Sequence, residues 1–115
     1  MTPLSKDKID EILELTDGES SILIELFQSF LKDAKELSEG IKYAASNSDW
    51  EKLKFDVHSL KGLCGTIGAT KLFDVCEVLN DDLKNNNKTT AITLADEAFV
   101  EYKELVKFIT STYQV

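Results

Sequence analysis

Apolar residues return every three or four positions along nearly the whole chain, and its single proline, Pro3, stands at the very start. A half-buried strand places apolar residues at every second position, and a many-stranded fold needs turn residues at intervals of about 8–12. With five glycines and that one proline, the chain offers neither pattern. Long amphipathic helices are the regular structure left to it.

The spacing predicts where they run. "LSKDKIDEILEL" is a short first helix with Ile9, Ile12 and Leu13 on one face, broken by "TDGES". A second helix from about Glu19 to about Ala45 turns Leu23, Leu26, Phe27, Phe30, Ala34, Leu37, Ile41 and Ala44 inward. "SDWE" at 48–51 reads as a capping box, with Ser48 on the amide of Glu51 and Glu51 reaching back. It starts a third helix from Asp49 to about Thr66, with a core stripe of Leu53, Val57, Leu60, Cys64 and Ile67. Gly68 in "IGA" permits the left-handed turn that closes it. The fourth helix carries Leu72, Val75, Cys76, Leu79 and Leu83 and stops in "NNNK" at 85–88. The last begins at about Thr90 and points Ile92, Ala95, Phe99, Tyr102, Val106, Ile109 and Tyr113 inward. Long helices with short joints imply an all-α fold, an antiparallel up-down four-helix bundle with a short additional N-terminal helix. Residues 1–115 are expected to form one domain around one core.

A net charge of -8 disfavours nucleic acid and anionic membranes as partners. No apolar run reaches the ~18–20 residues of a membrane span and no signal peptide opens the chain, so a cytoplasmic location is expected. Two cysteines without CxxC spacing, and one histidine, argue for reduced core thiols and against a metal site.

That histidine begins the most informative stretch, "HSLKGLCGTIGA" from residue 58. On the third helix His58, Lys61, Gly62 and Gly65 fall at i, i+3, i+4 and i+7, one face over two turns. Val57, Leu60 and Cys64 form a different face, so His58 is expected to point at solvent. Each interior glycine costs about 0.8–1 kcal/mol against alanine. Close helix packing or a group approaching from outside must offset that. Sharing the histidine's face favours the outside group. An exposed imidazole, with an ordinary pKa of about 6.5, offers a nucleophilic ring nitrogen at neutral pH. Lys61, one turn away, opposes charging of the ring and would neutralise an anion attached to it. Lys54, four residues before the histidine, extends the positive stripe. No catalytic triad order, P-loop or glycine-rich kinase loop accompanies these residues. The residues therefore describe a helical module that offers one histidine to a partner supplying the remaining chemistry.

This stretch resembles the signature of histidine-containing phosphotransfer (HPt) domains: His, then Lys at +3, Gly at +4, a small residue at +7 and Gly at +10. His58, Lys61, Gly62, Gly65 and Gly68 fill every position. The resemblance implies a bundle that relays phosphoryl groups between receiver-domain aspartates in a multistep two-component phosphorelay. It implies Nε2 of His58 as phosphoacceptor, electrostatic assistance from Lys61, and clearance for the receiver at Gly62. The chain would be a carrier, with no kinase or phosphatase activity of its own and no cofactor, the receiver bringing Mg²⁺. Its partners would be receiver domains of response regulators and of a hybrid sensor histidine kinase. Many family members place a glutamine at +22, near the imidazole. Here that position is Asn80, an amide one methylene shorter, which would reach the ring directly or through water.

Docking needs exposed apolar surface near the histidine. Phase points to Phe55 and Leu63, with Leu13 of the first helix, beside Gly62, Gly65 and Lys54. Gly68 is structural. Most other apolar surface is used inside one bundle, so a monomer is expected. The alternative is a non-catalytic helical adaptor in which His58 is incidental.

Overall fold

Helix α1 (Lys6–Leu15) starts at a side-chain cap: the Lys8 amide donates to Ser5 Oγ at 3.2 Å. A turn through Asp17 and Gly18, both at positive φ, leads to α2 (Ser20–Ser46). Helices α3 (Trp50–Ile67), α4 (Thr70–Lys84) and α5 (Lys88–Tyr113) follow after short joints. The computed structural model describes residues 2–115, and among these there are five helices and no strand.

The start of α3 corrects the expected capping box. Ser48 sits in the turn with φ 54°, and Asp49 is the N-cap, its side chain accepting from the Lys52 amide at 3.2 Å. Two cap-competent residues are adjacent here. Ser48 is taken up by the left-handed turn, leaving Asp49 to cap.

Helix α2 packs on α3, α3 on α4, α4 on α5, and α5 returns to α2, closing a ring around the core. Every residue of the expected α3 stripe is buried: Leu53, Val57, Leu60, Cys64 and Ile67. Each fully buried leucine contributes roughly 1.5–3 kcal/mol of transfer free energy. Other helices are rotated slightly from expectation. Leu26 is 37% exposed and Ile92 40% exposed, where both were expected inside. On α5 the inward stripe is Ala91, Ala95, Ala98, Tyr102, Leu105 and Ile109. Phe99, Val106 and Tyr113 sit at its edge, half-buried, as do Leu37 and Val75 on α2 and α4. Small alanines facing inward let the α5 backbone approach the ring closely, which turns bulkier Ile92 outward.

Gly68 ends α3 with φ 77°, as its position in "IGA" requires. Its carbonyl also accepts from the Ser5 amide at 2.7 Å, and a Cβ there would stand 2.6 Å from Lys8 Cβ. The glycine thus closes one helix and makes room for the first turn of another. A second close approach was not anticipated from the sequence. Asp56 of α3 is only 5% exposed, pairs with Lys52 at 3.0 Å, and lies against Gly40 in the interior of α2. A Cβ at Gly40 would fall on Asp56 Oδ2. An aspartate this buried needs a cation and space, which Lys52 and the bare α2 backbone supply.

Candidate functional site

The core stripe of α3 dictates what its opposite face displays. With Val57, Leu60 and Cys64 turned inward, His58 and Gly62 are exposed and Lys61 is half-buried at the edge next to α4. The joint at Gly68 and Ala69 is short, so α4 returns alongside α3. From His58 to the end of α3 is about 14 Å of helix, and from the start of α4 to Asn80 about 15 Å. These lengths bring Asn80 level with the imidazole.

His58, Lys54, Phe55 and Lys61 of α3 share one open depression with Asn80 and Lys84 of α4. Phe55 is 70% exposed at its rim, and Glu51 is the carboxylate that also lines it. The imidazole forms no hydrogen bond or ion pair with any described residue, so its nitrogens stay available. Lys61 leans onto α4, its Nζ 5.4 Å from the centre of the Phe73 ring, a cation–π contact.

The two glycines of the histidine face differ. A Cβ at Gly62 would meet no atom within 4 Å, so nothing in this chain needs the bare backbone there. A Cβ at Gly65 would lie 3.6 Å from Phe73 Cε2, ordinary contact with the neighbouring helix. Clearance for an outside group is therefore concentrated at Gly62.

The remaining expected docking residues lie apart. Leu63 lines a groove between α2 and α3 with Leu37 and Ser59. Leu13 lines a cleft with Ile9, Phe108 and Tyr113, between α1 and α5. Lys84 was overlooked in the sequence, although it stands four residues beyond Asn80 and so shares its face. Both cysteines are free and buried. Burial pushes the Cys64 thiol well up, and the Cys76 thiol up to about 12, with Lys61 opposing weakly at Cys76. Neither is a nucleophile at neutral pH. Among the described residues, no group of three or more His, Cys, Asp or Glu side chains could hold a metal ion. Nor is any helix among them long and apolar enough to cross a membrane.

The model of the Hpt domain family matches residues 25–109 of the chain. Among solved structures, the chain is similar to histidine-containing phosphotransfer protein B from Pseudomonas aeruginosa PAO1. The TM-score is 0.80 at 20% identity, covering 98% of this chain and 96% of that one. No curated protein matches the chain.

Proposed function

The chain belongs to the Hpt domain family, as a histidine phosphotransfer protein of phosphorelay signalling, and we propose that His58 is its phosphoacceptor. The observation that carries this is the placement of the chain's one histidine. It is exposed on α3, beside the open backbone of Gly62, in a depression shared with Lys61 and Asn80.

In the proposed step the Nε2 lone pair attacks the phosphorus of a receiver's aspartyl phosphate. The N–P bond forms as the acyl P–O bond breaks, and the aspartate leaves as carboxylate with that electron pair. The Nδ1 proton stays on the ring. Transfer onward to a second receiver reverses these bonds. Lys61 lowers the cost of the phosphoryl charge, and Asn80 donates its amide hydrogens toward the phosphoryl oxygens or accepts from the ring's Nδ1–H through Oδ1. Most of the acceleration comes from holding the two proteins in line, since phosphoryl transfer asks little covalent chemistry of the carrier.

Mg²⁺ belongs on the receiver in this reading, and the chain has no kinase or phosphatase activity of its own. The donors and acceptors are receiver domains of a hybrid sensor kinase and of response regulators, met by a cytoplasmic monomer. The short joints and the ring of packed helices support an antiparallel, up-down order for α2 to α5.

The test is covalent. The protein and His58→Gln are incubated with phosphoramidate or with a phosphorylated receiver domain, and both are weighed intact at neutral pH. One phosphoryl adduct on the wild type alone, lost in acid and kept in base, is the expected result. An adduct on His58→Gln, or none on either protein, overturns the assignment.

A further inference from the structure

Lys61 is held in a place that the transfer step does not use. On α3 it stands three residues after His58, about 4.5 Å along the axis, and four before Gly65, about 6 Å. Helical side chains lean toward the N-terminus, which for Lys61 is toward the imidazole. Its ammonium is drawn instead to the face of Phe73 on α4, 5.4 Å from the ring centre. That ring lies against Gly65, where a Cβ would stand 3.6 Å from Cε2 and 3.9 Å from Cδ2. The ring rests on α3 at Gly65, and the lysine rests on the ring.

No carboxylate among the described residues holds Lys61. Its Nζ forms no ion pair there, although Glu77 follows Phe73 by one turn on the same face of α4. The Cys76 thiol, buried in the seam between the two helices, feels the ammonium as a weak opposing charge. Phe73 is half-buried and packed on the core, so the ring stays where it is when the lysine moves. A neutral imidazole offers the ammonium nothing better than the ring. A phosphoryl group on Nε2 does, because a charge-assisted hydrogen bond outweighs a cation–π contact at a partly exposed site. Lys61 and His58 are one turn apart, so rotation about the lysine's own chain carries its ammonium from the ring to the phosphoryl oxygens.

We propose that Phe73 is a positioning residue that parks Lys61 while His58 is bare and releases it when the imidazole is phosphorylated. No covalent bond changes in this exchange: one cation–π contact is lost and one hydrogen bond is gained. The ring therefore stabilises the bare chain relative to the phosphorylated one, and makes the phosphohistidine a readier donor. The inference rests on the phosphotransfer reading above.

The first test is proton NMR, with the Lys61 signals identified by their loss in Lys61→Met. Ring currents should shift the Lys61 Cε protons upfield in the bare chain, and labelling with phosphoramidate should return them to their ordinary position. Unshifted protons in the bare chain, or shifted ones that stay in place on phosphorylation, overturn the proposal. The second test is the ratio of forward to reverse kcat/KM with a purified receiver domain, phosphorylated on its aspartate for the forward direction. Damage to docking slows both directions alike and leaves this ratio unmoved. Phe73→Leu should move it about two- to fivefold toward the phosphorylated chain, corresponding to one exposed cation–π contact. Phe73→Tyr should restore the wild-type ratio, and in a Lys61→Met background Phe73→Leu should change nothing further. A ratio indifferent to Phe73→Leu refutes the parking role, as does an equal shift in the Lys61→Met background. Without a phosphoramidate adduct on His58 the phosphotransfer reading itself fails, and the parking role with it; with the adduct, the two tests decide on Phe73 alone.

Discussion

Replacing Gly62 should stabilise the protein and impair it at once. The residue lies inside α3, is exposed, and has no atom within 4 Å of the point where a Cβ would stand. Gly62→Ala therefore recovers helix propensity without a clash, about 0.8–1 kcal/mol. At about 2.1 cal/mol/K per residue, 115 residues unfold with an entropy near 0.24 kcal/mol/K, so Tm should rise about 4 °C. Gly62→Gln keeps most of that gain but puts a long side chain one turn from His58. A docked receiver displaced by about an ångström loses roughly 10²-fold in transfer rate. Phosphoramidate is small enough to reach the ring past either side chain. The assay is thermal unfolding by circular dichroism, with transfer from a phosphorylated receiver and phosphoramidate labelling run in parallel. The expected pattern is a higher Tm, transfer at about 1% in Gly62→Gln, and labelling retained. A lower Tm would mean the bare backbone serves the fold, and receiver transfer at the wild-type rate would end the clearance explanation.

Gly40→Ala should do the opposite, because its Cβ would fall on Asp56. Overpacking of about 1–3 kcal/mol exceeds the recovered helix propensity, so the urea midpoint should drop; a raised midpoint would show Asp56 free to turn away. Lys61→Ala should slow transfer about 10–100-fold, the worth of one charge-assisted hydrogen bond, without abolishing it. An unchanged rate with an unchanged phosphohistidine lifetime would remove Lys61 from the mechanism. Native Cys64 and Cys76 should resist iodoacetamide at pH 8 and react in urea; rapid native alkylation would contradict their burial. Because burial raises both thiols above the ordinary value of 9.0, the unfolded chain ionises first. Their contribution should leave stability level below about pH 8 and erode it as pH climbs from 9 toward 12, measurable as a falling urea midpoint.

Much of the site was legible because it lies on one helix. Residues at i, i+3, i+4 and i+7 share a face whatever the neighbours do, so His58, Lys61, Gly62 and Gly65 could be grouped from spacing alone. What crosses between helices was less legible. Asn80 was reached through a family resemblance, and Lys84 was missed although the same +4 step leads to it. Leu63 and Leu13 have the right apolar character, yet they line other grooves, because phase on one helix does not say which neighbour fills the adjoining space.

By itself the sequence determined the five helices, their joints and the face that carries the histidine. Those follow from local physics: a 3.6-residue period, the few residues able to turn, and a stripe that must leave water. The tertiary structure alone decided how far each helix is rotated about its axis. That rotation turned Ile92 out and Ala91 in, because apolar residues one position apart sit about 100° from each other and only packing chooses between them. It also decided which glycine is empty space and which is filled. Gly40, Gly62 and Gly65 are each interior helical glycines by sequence. One holds a buried carboxylate, one faces nothing and one touches a ring. The difference lies in the neighbouring helix, and no local pattern along the chain records it.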